Sequence, residues 1–562
     1  ADHGHEKEAL KCFEKMQCDC VSPNPVTLIS CLKACCSPEA IDKVRELHGE
    51  IERKGLLEKN VILANTLIDM YAKHGFLSIA QGVFDELPTR DVITWTTLIV
   101  GYTDYGYGTE AIRCFEQMQL DGVPPNVVTV ICTLKACTSI GAIHKGQMIH
   151  SEIKKHTLLE RNLVINNALI DMYAKCGLLN IARHLFDELP IQDVVSWASL
   201  ILGYAEHGHE EEALKCYEMM QLDGVLPDAV IFMSILKACS IIGATAKGIQ
   251  IHAQIERQGL LEMNLAVGNT LIDMYAKSGS PTRAQRVFDR LQIRDVVSWN
   301  SLITGFSQCE LDCEALTYFK RMQDEGVTPN AITFSCILKA CSSLGFGRKG
   351  EEIHATVRKE LIHVENSVLL SSSLVAMYAK CGLLTKAQQV FDTLPMRDVI
   401  SWTALISGYA RFNHAKHVLV LFNQMIAEGT LPDLITFIAV LTVCSHASLV
   451  EEGQMYFNTM TSVYGLTPTL EHYTCMVDLY SRAGYFDKAM IMIENVLLFG
   501  NCVEMWVALL GGCGKWANVD LGKWAFEQLL PLDDTCAATY VYMSNIYAAA
   551  GMQEKADIVE AL

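Results

Sequence analysis

Several marks of chemistry are missing from these 562 residues. No Cys-x-x-Cys occurs, although the chain holds 22 cysteines. A zinc site of the nucleobase-deaminase kind needs His-x-Glu followed by Pro-Cys-x-x-Cys. His48-Gly49-Glu50 and His150-Ser151-Glu152 supply only the first half, so that site cannot form from these residues. No glycine-rich phosphate cradle and no nucleophile motif is present. The expectation is a chain that is not an enzyme in its own right and holds no cofactor. No run of about 18 or more uncharged apolar residues exists, so no bilayer span is expected. A surplus of base is missing too. Acids outnumber bases 64 to 45, for a net charge of −19, and bulk charge of that sign speaks against nucleic acid unless the basic residues are well placed.

What is present is apolar material and repetition. Half of the side chains are hydrophobic and 19% are charged, which excludes wholesale disorder. The chain begins at Ala1, in a His-rich and acidic stretch that reads as neither a signal nor a transit peptide, as expected of a fragment or a processed end. Met-Tyr-Ala-Lys starts at Met70, Met172, Met274 and Met377, in steps of 102, 102 and 103. Lys-Ala-Cys recurs at Lys33, Lys135, Lys237 and Lys339, and Trp95, Trp197, Trp299 and Trp402 keep the same time. Phe-Asp-Glu-Leu-Pro appears at Phe84 and Phe186, with variants at Phe288 and Phe391. Such a period marks an array of units that bury their apolar faces only by stacking.

Each unit divides into three helical hairpins of 31, 35 and 36 residues, for example 163–193, 194–228 and 229–264. In the first of these, Leu169, Ile170, Met172 and Tyr173 mark one helix. Cys176-Gly177 ends it. Ile181, Ala182, Leu185 and Phe186 are expected on the apolar side of the second helix, which Pro190 closes.

This alternation resembles the plant pentatricopeptide repeat family, in the subclass that alternates P, L and S motifs. The phrases VVSWASLILGYAEHGHEEEALKCYEMMQLDGVLPD (194–228) and NALIDMYAKCG (167–177) carry the likeness. The resemblance implies an all-α fold, a right-handed superhelical solenoid of stacked helix-turn-helix repeats. It implies a partial P-type repeat at 1–24, fourteen alternating L, S and P repeats over 25–502, and a truncated E-type extension at 503–562. The implied function is sequence-specific binding of single-stranded RNA in a mitochondrion or chloroplast. Relatives with E-type extensions mostly specify C-to-U editing sites. The deaminase would then come in trans, docked through 503–562, with small editing-factor proteins as further partners. An RNA stabilisation or processing factor is the nearest alternative. A tetratricopeptide-like protein scaffold is the other, against which the 34-residue unit of that family counts.

In the family each motif reads one base with two residues, the fifth and the last. Asn65 with Asp91, Asn167 with Asp193, and Asn269 with Asp295 match the uracil-preferring pair. Asn300 with Asn330 resembles the cytosine pair, Thr96 with Asn126 the adenine pair, and Thr403 with Asp433 the guanine pair, with Ser372 and Asp398 similar. An amide offers a donor and an acceptor, and a hydroxyl can do either, so both suit the free edge of an unpaired base. Ala198 with Asp228 departs from the code. Ile29, Ile131, Met233 and Ile438 at position five of long motifs cannot hydrogen-bond, so those motifs are expected to be spacers. Motif 331–367 is one residue longer than its siblings and ends in Ser367, and Thr474 with Cys502 is an uninformative pair.

Position two is apolar at Ile62, Ile93, Val164, Val195, Ala266, Val297, Leu369 and Ile400. In the family such residues sandwich a base; ordinary packing between repeats is the other reading, and the two are compatible. Lys73, Lys175, Lys277 and Lys380 stand at position thirteen, within about 20° of the same helix face. They are the candidates for phosphate contacts, with Lys33, Lys135, Lys237 and Lys339 as a second row. Cys35, Cys137, Cys239, Cys341 and Cys444 share one register and read as small core residues. His48, His150, His252 and His354 give way to Phe457 in the fifth copy, which points to packing and not to metal.

Overall fold

Each hairpin is punctuated at both ends by local chemistry. Asn162 is extended and its side-chain oxygen accepts the Val164 and Ile165 N–H groups at 3.0 and 3.3 Å, starting the helix Leu163–Lys175. Gly177, in left-handed backbone at φ 79°, releases the chain from that helix. A nine-residue second helix, Leu179–Asp187, follows. It buries Ala182 and Phe186, one turn apart. Ile181, expected on the same side, is exposed. So short a helix presents one narrow stripe to its neighbours, and Ile181 stands about 100° away from it.

The computed structural model describes residues 6–19, 21–35, 40–57, 59–154, 162–360, 368–497, 503–530 and 537–560. It contains 34 α-helices and no strand among the described residues. No described helix is long and apolar enough to cross a membrane. The described residues divide into two compact units, 1–274 and 275–562.

Within each unit the hairpins stack as a helical solenoid. In the first unit Val61–Lys73 packs on Val92–Asp104, that on Val127–Ser139, and so on through Leu163–Lys175 and Val194–Glu206 to Ala229–Ile242. In the second unit the same row runs from Val296–Gln308 through Ala331–Leu344, Val368–Lys380, Val399–Arg411, Leu434–His446 and Leu470–Ala483 to Val503–Trp516 and Ala537–Ala549. First helices thus form one layer in each unit, and second helices such as Leu77–Asp85, Leu179–Asp187 and Ala415–Ala427 pack on their own partner and on the first helix that follows.

Two contacts explain why the period is so strict. Trp95, Trp197, Trp299 and Trp402 are buried edge-on against Phe84, Phe186, Phe288 and Phe391, with centroids 4.5–4.6 Å apart. Removing such an indole costs about 3–5 kcal/mol. Gly203 meets the helix before it so closely that an added Cβ would lie 2.4 Å from the Ala174 Cβ, and Gly305 meets Ala276 at 2.3 Å. The first helices can approach this closely only where both residues are small.

Candidate nucleic-acid interface

The last residue of a hairpin is first of all a helix cap. The side chains of Asp91, Asn126, Asp193, Asp228, Asp295, Asn330, Asp398 and Asp433 each accept the backbone N–H three residues on, at 2.8–3.1 Å. Asn and Asp here fill the ordinary role of such residues at a helix start. That role does not exhaust them, because the capped helix lies beside the first helix of the preceding hairpin, and the cap side chain faces that helix at position five.

The two positions singled out from sequence meet there, 26 or 30 residues apart in the chain. Asn65 Nδ2 donates to Asp91 Oδ1 at 3.3 Å, and Asn167 Nδ2 to Asp193 at 3.1 and 3.3 Å. Asn300 Nδ2 donates to Asn330 Oδ1 at 3.0 Å, and Asn126 Nδ2 to Thr96 Oγ1 at 3.3 Å. Ser372 Oγ donates to Asp398 at 3.0 Å and Thr403 Oγ1 to Asp433 at 3.3 Å. Ala198 has no polar side-chain atom to offer Asp228. Asn269 is buried in the first unit, while Asp295 caps Val296–Gln308 in the second. Ser367 and Cys502 lie outside the described residues.

The amides are held but not exhausted. Asn65 and Asn167 are 8% and 6% exposed, and the Oδ1 of each is buried with no hydrogen-bond partner. A buried acceptor left without a partner is costly. The same amides have given one N–H to the carboxylate and keep a second. Asn300 differs, since Thr333 Oγ1 donates to its Oδ1 at 2.6 Å. Thr129 and Thr436 likewise sit 2.8 and 2.7 Å from Thr96 and Thr403. This third partner, at position three of the following long hairpin, was not anticipated. Its signal was the Thr that recurs three residues after Asn126, Asn330 and Asp433.

Burial pushes the Asp91 carboxyl up. The Thr94 backbone N–H and hydroxyl, the Asn65 amide and the Ile93 N–H outweigh that and hold it below the usual carboxylate range. A cap of this kind is an anion at neutral pH, so a polyanionic ligand needs compensating cations nearby.

Within each unit a row of apolar side chains facing solvent runs beside the pairs. Ile62 is 68% exposed, Val164 58% and Ile400 59%, and Ile93, Val195, Val297 and Leu369 are exposed by half or more. Ala266 is exposed as well. Packing between repeats therefore does not account for them. The row also includes Val26, Val128, Val230, Ile332 and Ile435 of the long hairpins, so it is continued by the very hairpins expected to be spacers. It stops at Ile435; the next two residues in register are Glu471 and Glu504.

Two cavities open between neighbours in this row. One of about 400 Å³ is walled by Ile400 and Ile435, floored by Thr403 and Asp433, and rimmed by Lys380 and Arg411. The next, about 240 Å³, lies between Leu369 and Ile400, with Ser372 within and Lys339 and Lys380 at its edge. An apolar slot with a polar floor and a basic rim suits a flat heterocycle attached to an anionic backbone.

The candidate phosphate lysines are not equivalent. Lys73 is bound to Asp69 at 2.7 Å and Lys175 to Asp171 at 2.9 Å. Lys380 has alanine, Ala376, one turn before it. The register cysteines Cys35, Cys137, Cys239, Cys341 and Cys444 are buried thiols, and burial pushes Cys137, Cys239 and Cys341 to about 11 and Cys444 to about 12. Core packing is their role. His48, His150 and His354 hydrogen-bond the hydroxyls of Tyr71, Tyr173 and Tyr378 at 2.9–3.0 Å, whereas Phe457 packs edge-on to Tyr473, a tyrosine at a different register of its helix. No group of three or more metal-binding side chains stands together among the described residues.

The PPR repeat family profile matches residues 90–139, 294–343 and 397–446, and the PPR repeat profile matches 62–92, 167–192, 195–225, 269–296, 371–399 and 471–500. A pentatricopeptide repeat-containing protein of Arabidopsis thaliana, named mitochondrial, is 34% identical over 99% of this chain, which spans 80% of that protein. Another from the same plant, named chloroplastic, is 33% identical over 98% of this chain, which spans 63% of it. The crystal structure of the pentatricopeptide repeat protein PPR10 from maize matches 100% of this chain and 92% of its own, with TM-score 0.64 at 18% identity. PPR10 in complex with an 18-nt psaJ RNA element matches with TM-score 0.59 at 19% identity, covering 83% of that chain.

Proposed function

Because this chain belongs to the pentatricopeptide repeat family, we propose that it binds single-stranded RNA sequence-specifically and thereby specifies a C-to-U editing site in a mitochondrion or chloroplast. The observation that carries this is the convergence of position five and the last residue in each of six hairpins, at the foot of an exposed apolar row. A polar pair fixed in place and a slot beside it are what one-base-per-repeat recognition requires. Each pair keeps hydrogen-bonding capacity for a base edge, and the pair chemistry differs from hairpin to hairpin. The organelle assignment follows the names of the relatives. The relation to maize PPR10, solved with RNA, supports the ligand class.

On this reading the chain selects the site and the chemistry is done by a deaminase acting in trans, with the C-terminal hairpins of 503–562 as the docking end and small editing-factor proteins as partners. The test is fluorescence anisotropy with an RNA that spells the expected bases, set against a scramble of the same composition. Selective, salt-sensitive binding of the first is expected. Equal binding of both would overturn sequence-specific recognition. Conversion of cytidine by the purified chain alone would overturn the assignment of catalysis to a second protein.

A further inference from the structure

The 35-residue hairpins 92–126, 194–228, 296–330 and 399–433 share a neighbour that the two-residue pairs leave out. At position three of the hairpin that follows each of them stand Thr129, Ile231, Thr333 and Thr436. All four are completely buried, so none can touch a nucleotide. Their identity tracks the fifth residue of the hairpin before. Thr96, Asn300 and Thr403 are each followed by threonine, whereas the apolar fifth residue, Ala198, is followed by isoleucine.

Helix capping does not demand this. Thr129 and Thr333 close capping boxes with Asn126 and Asn330, but Thr94 closes the same box with Asp91 while the Asn65 Oδ1 stays without a partner. Ser196 and Ser401 turn their hydroxyls to the backbone carbonyls of Asp193 and Asp398. After a 35-residue hairpin with a polar fifth residue, the hydroxyl instead reaches that residue, at 2.6–2.8 Å.

The contact decides which atom the fifth residue has left to offer. Thr333 Oγ1 gives its proton to Asn300 Oδ1 at 2.6 Å, and Asn300 Nδ2 gives one of its own to Asn330 Oδ1 at 3.0 Å. Both ends of the amide are fixed, and what remains is an N–H. It suits the N3 acceptor of cytosine and opposes the N3–H of uracil. The Oδ1 atoms of Asn65 and Asn167 have no such partner, so those amides can turn an oxygen to uracil. At Thr403 the same logic leaves the opposite sign. Thr436 gives its proton to the Asp433 carboxylate at 2.6 Å, so its oxygen, 2.7 Å from the Thr403 hydroxyl, takes the Thr403 proton. Thr403 is left an acceptor, which suits the N1–H of guanine.

We propose that position three of the following hairpin is a positioning residue for base choice. Its buried hydroxyl orients the fifth residue of a 35-residue hairpin, and Thr333 thereby sharpens the preference of the Asn300–Asn330 pair for cytosine over uracil. This rests on the RNA-binding reading given above and adds to the two reading positions a third that never touches RNA. Hairpin 194–228 lacks both the polar fifth residue and the hydroxyl behind it.

The experiment is fluorescence anisotropy with four labelled single-stranded RNAs of the expected base order, which differ only at the nucleotide facing hairpin 296–330. The unaltered chain should bind the cytosine RNA more tightly than the uracil RNA. Thr333→Val should lower that ratio about fivefold, the worth of one hydrogen bond, and Thr333→Ser should keep it. A second set of RNAs, varied at the nucleotide facing hairpin 194–228, tests the converse. Ala198→Asn/Asp228→Asn installs the pair alone, and adding Ile231→Thr installs the hydroxyl. The triple variant should favour cytosine over uracil about fivefold more than the double. Thermal melts establish which variants fold, and the Thr333 variants decide alone if Ile231→Thr does not. An unchanged ratio in Thr333→Val, an equal loss in Thr333→Ser, or equal ratios in the double and triple variants would overturn the positioning role while leaving base reading by the pair intact. Equal binding of all four RNAs by the unaltered chain would overturn base reading by hairpin 296–330, and the positioning role with it.

Discussion

Asp193 does two jobs that a pair of substitutions can separate. Its carboxylate caps Val194–Glu206 by accepting the Ser196 N–H at 2.8 Å, and it holds the Asn167 amide at 3.1 and 3.3 Å. Asp193→Ala removes both. Loss of the cap costs about 1 kcal/mol. Stranding the amide of a residue only 6% exposed adds about 1–3 kcal/mol. Asp193→Asn keeps both contacts, because Asn330 caps its helix at 3.1 Å and accepts from Asn300 at 3.0 Å with the same geometry. Its stability should stay within about 0.5 kcal/mol of the unaltered chain. Its base preference should nevertheless move from uracil towards cytosine, since the new pair is the Asn300–Asn330 pair. Calorimetry gives the first quantity, and anisotropy against RNAs differing at one base gives the second. The reasoning fails if Asp193→Asn is as destabilising as Asp193→Ala, or if it is stable and preference at that base does not change.

Other consequences are independent of RNA. Gly203→Ala should lower stability by about 1–3 kcal/mol through overlap with Ala174, and Ala174→Gly in the same chain should recover part of it in thermal melts. Glu310 sits at φ 60° where the matching turns have Gly106 and Gly208, so Glu310→Gly should stabilise by about 1–2 kcal/mol and raise the melting temperature. His472 is buried, its Nε2 3.0 Å from the Leu434 carbonyl and its Nδ1 2.8 Å from the Thr469 hydroxyl; burial holds its pKa below the ordinary value. The neutral ring is the folded form, so its contribution is complete above about pH 6.5 and declines as pH falls from there towards the lowered pKa. Melting between pH 7.5 and 5.5 should show that loss, and His472→Asn should reduce it.

The hairpins were legible because stacking imposes one solution on every copy. The tryptophan that meets Phe186 must recur wherever Phe288 or Phe391 recurs, and cap and glycine mark the ends of each first helix. The reading pairs were legible for a different reason, since their partners are 26 or 30 residues apart and only the family likeness joined Asn65 to Asp91. What escaped was set by tertiary detail. Ile181 is apolar but lies off the narrow buried stripe of a nine-residue helix. Val128 and Ile435 belong to the exposed row, which was hidden by the apolar fifth residues of the same hairpins. The buried oxygens of Asn65 and Asn167 follow from how adjacent helices pack, which no spacing reveals. The pairing of Lys73 with Asp69 was there to be seen one turn away, yet register alone had assigned that lysine to phosphate.

The most direct test of sequence-specific recognition is selection of binding sequences from a random RNA pool with the purified chain. The hairpins 61–91, 163–193 and 265–295 carry the same Asn–Asp pair and recur as every third repeat. The selected RNAs should therefore show uracil at three positions with two nucleotides between each. Enrichment without that spacing, or binding with no base preference at all, would contradict the account.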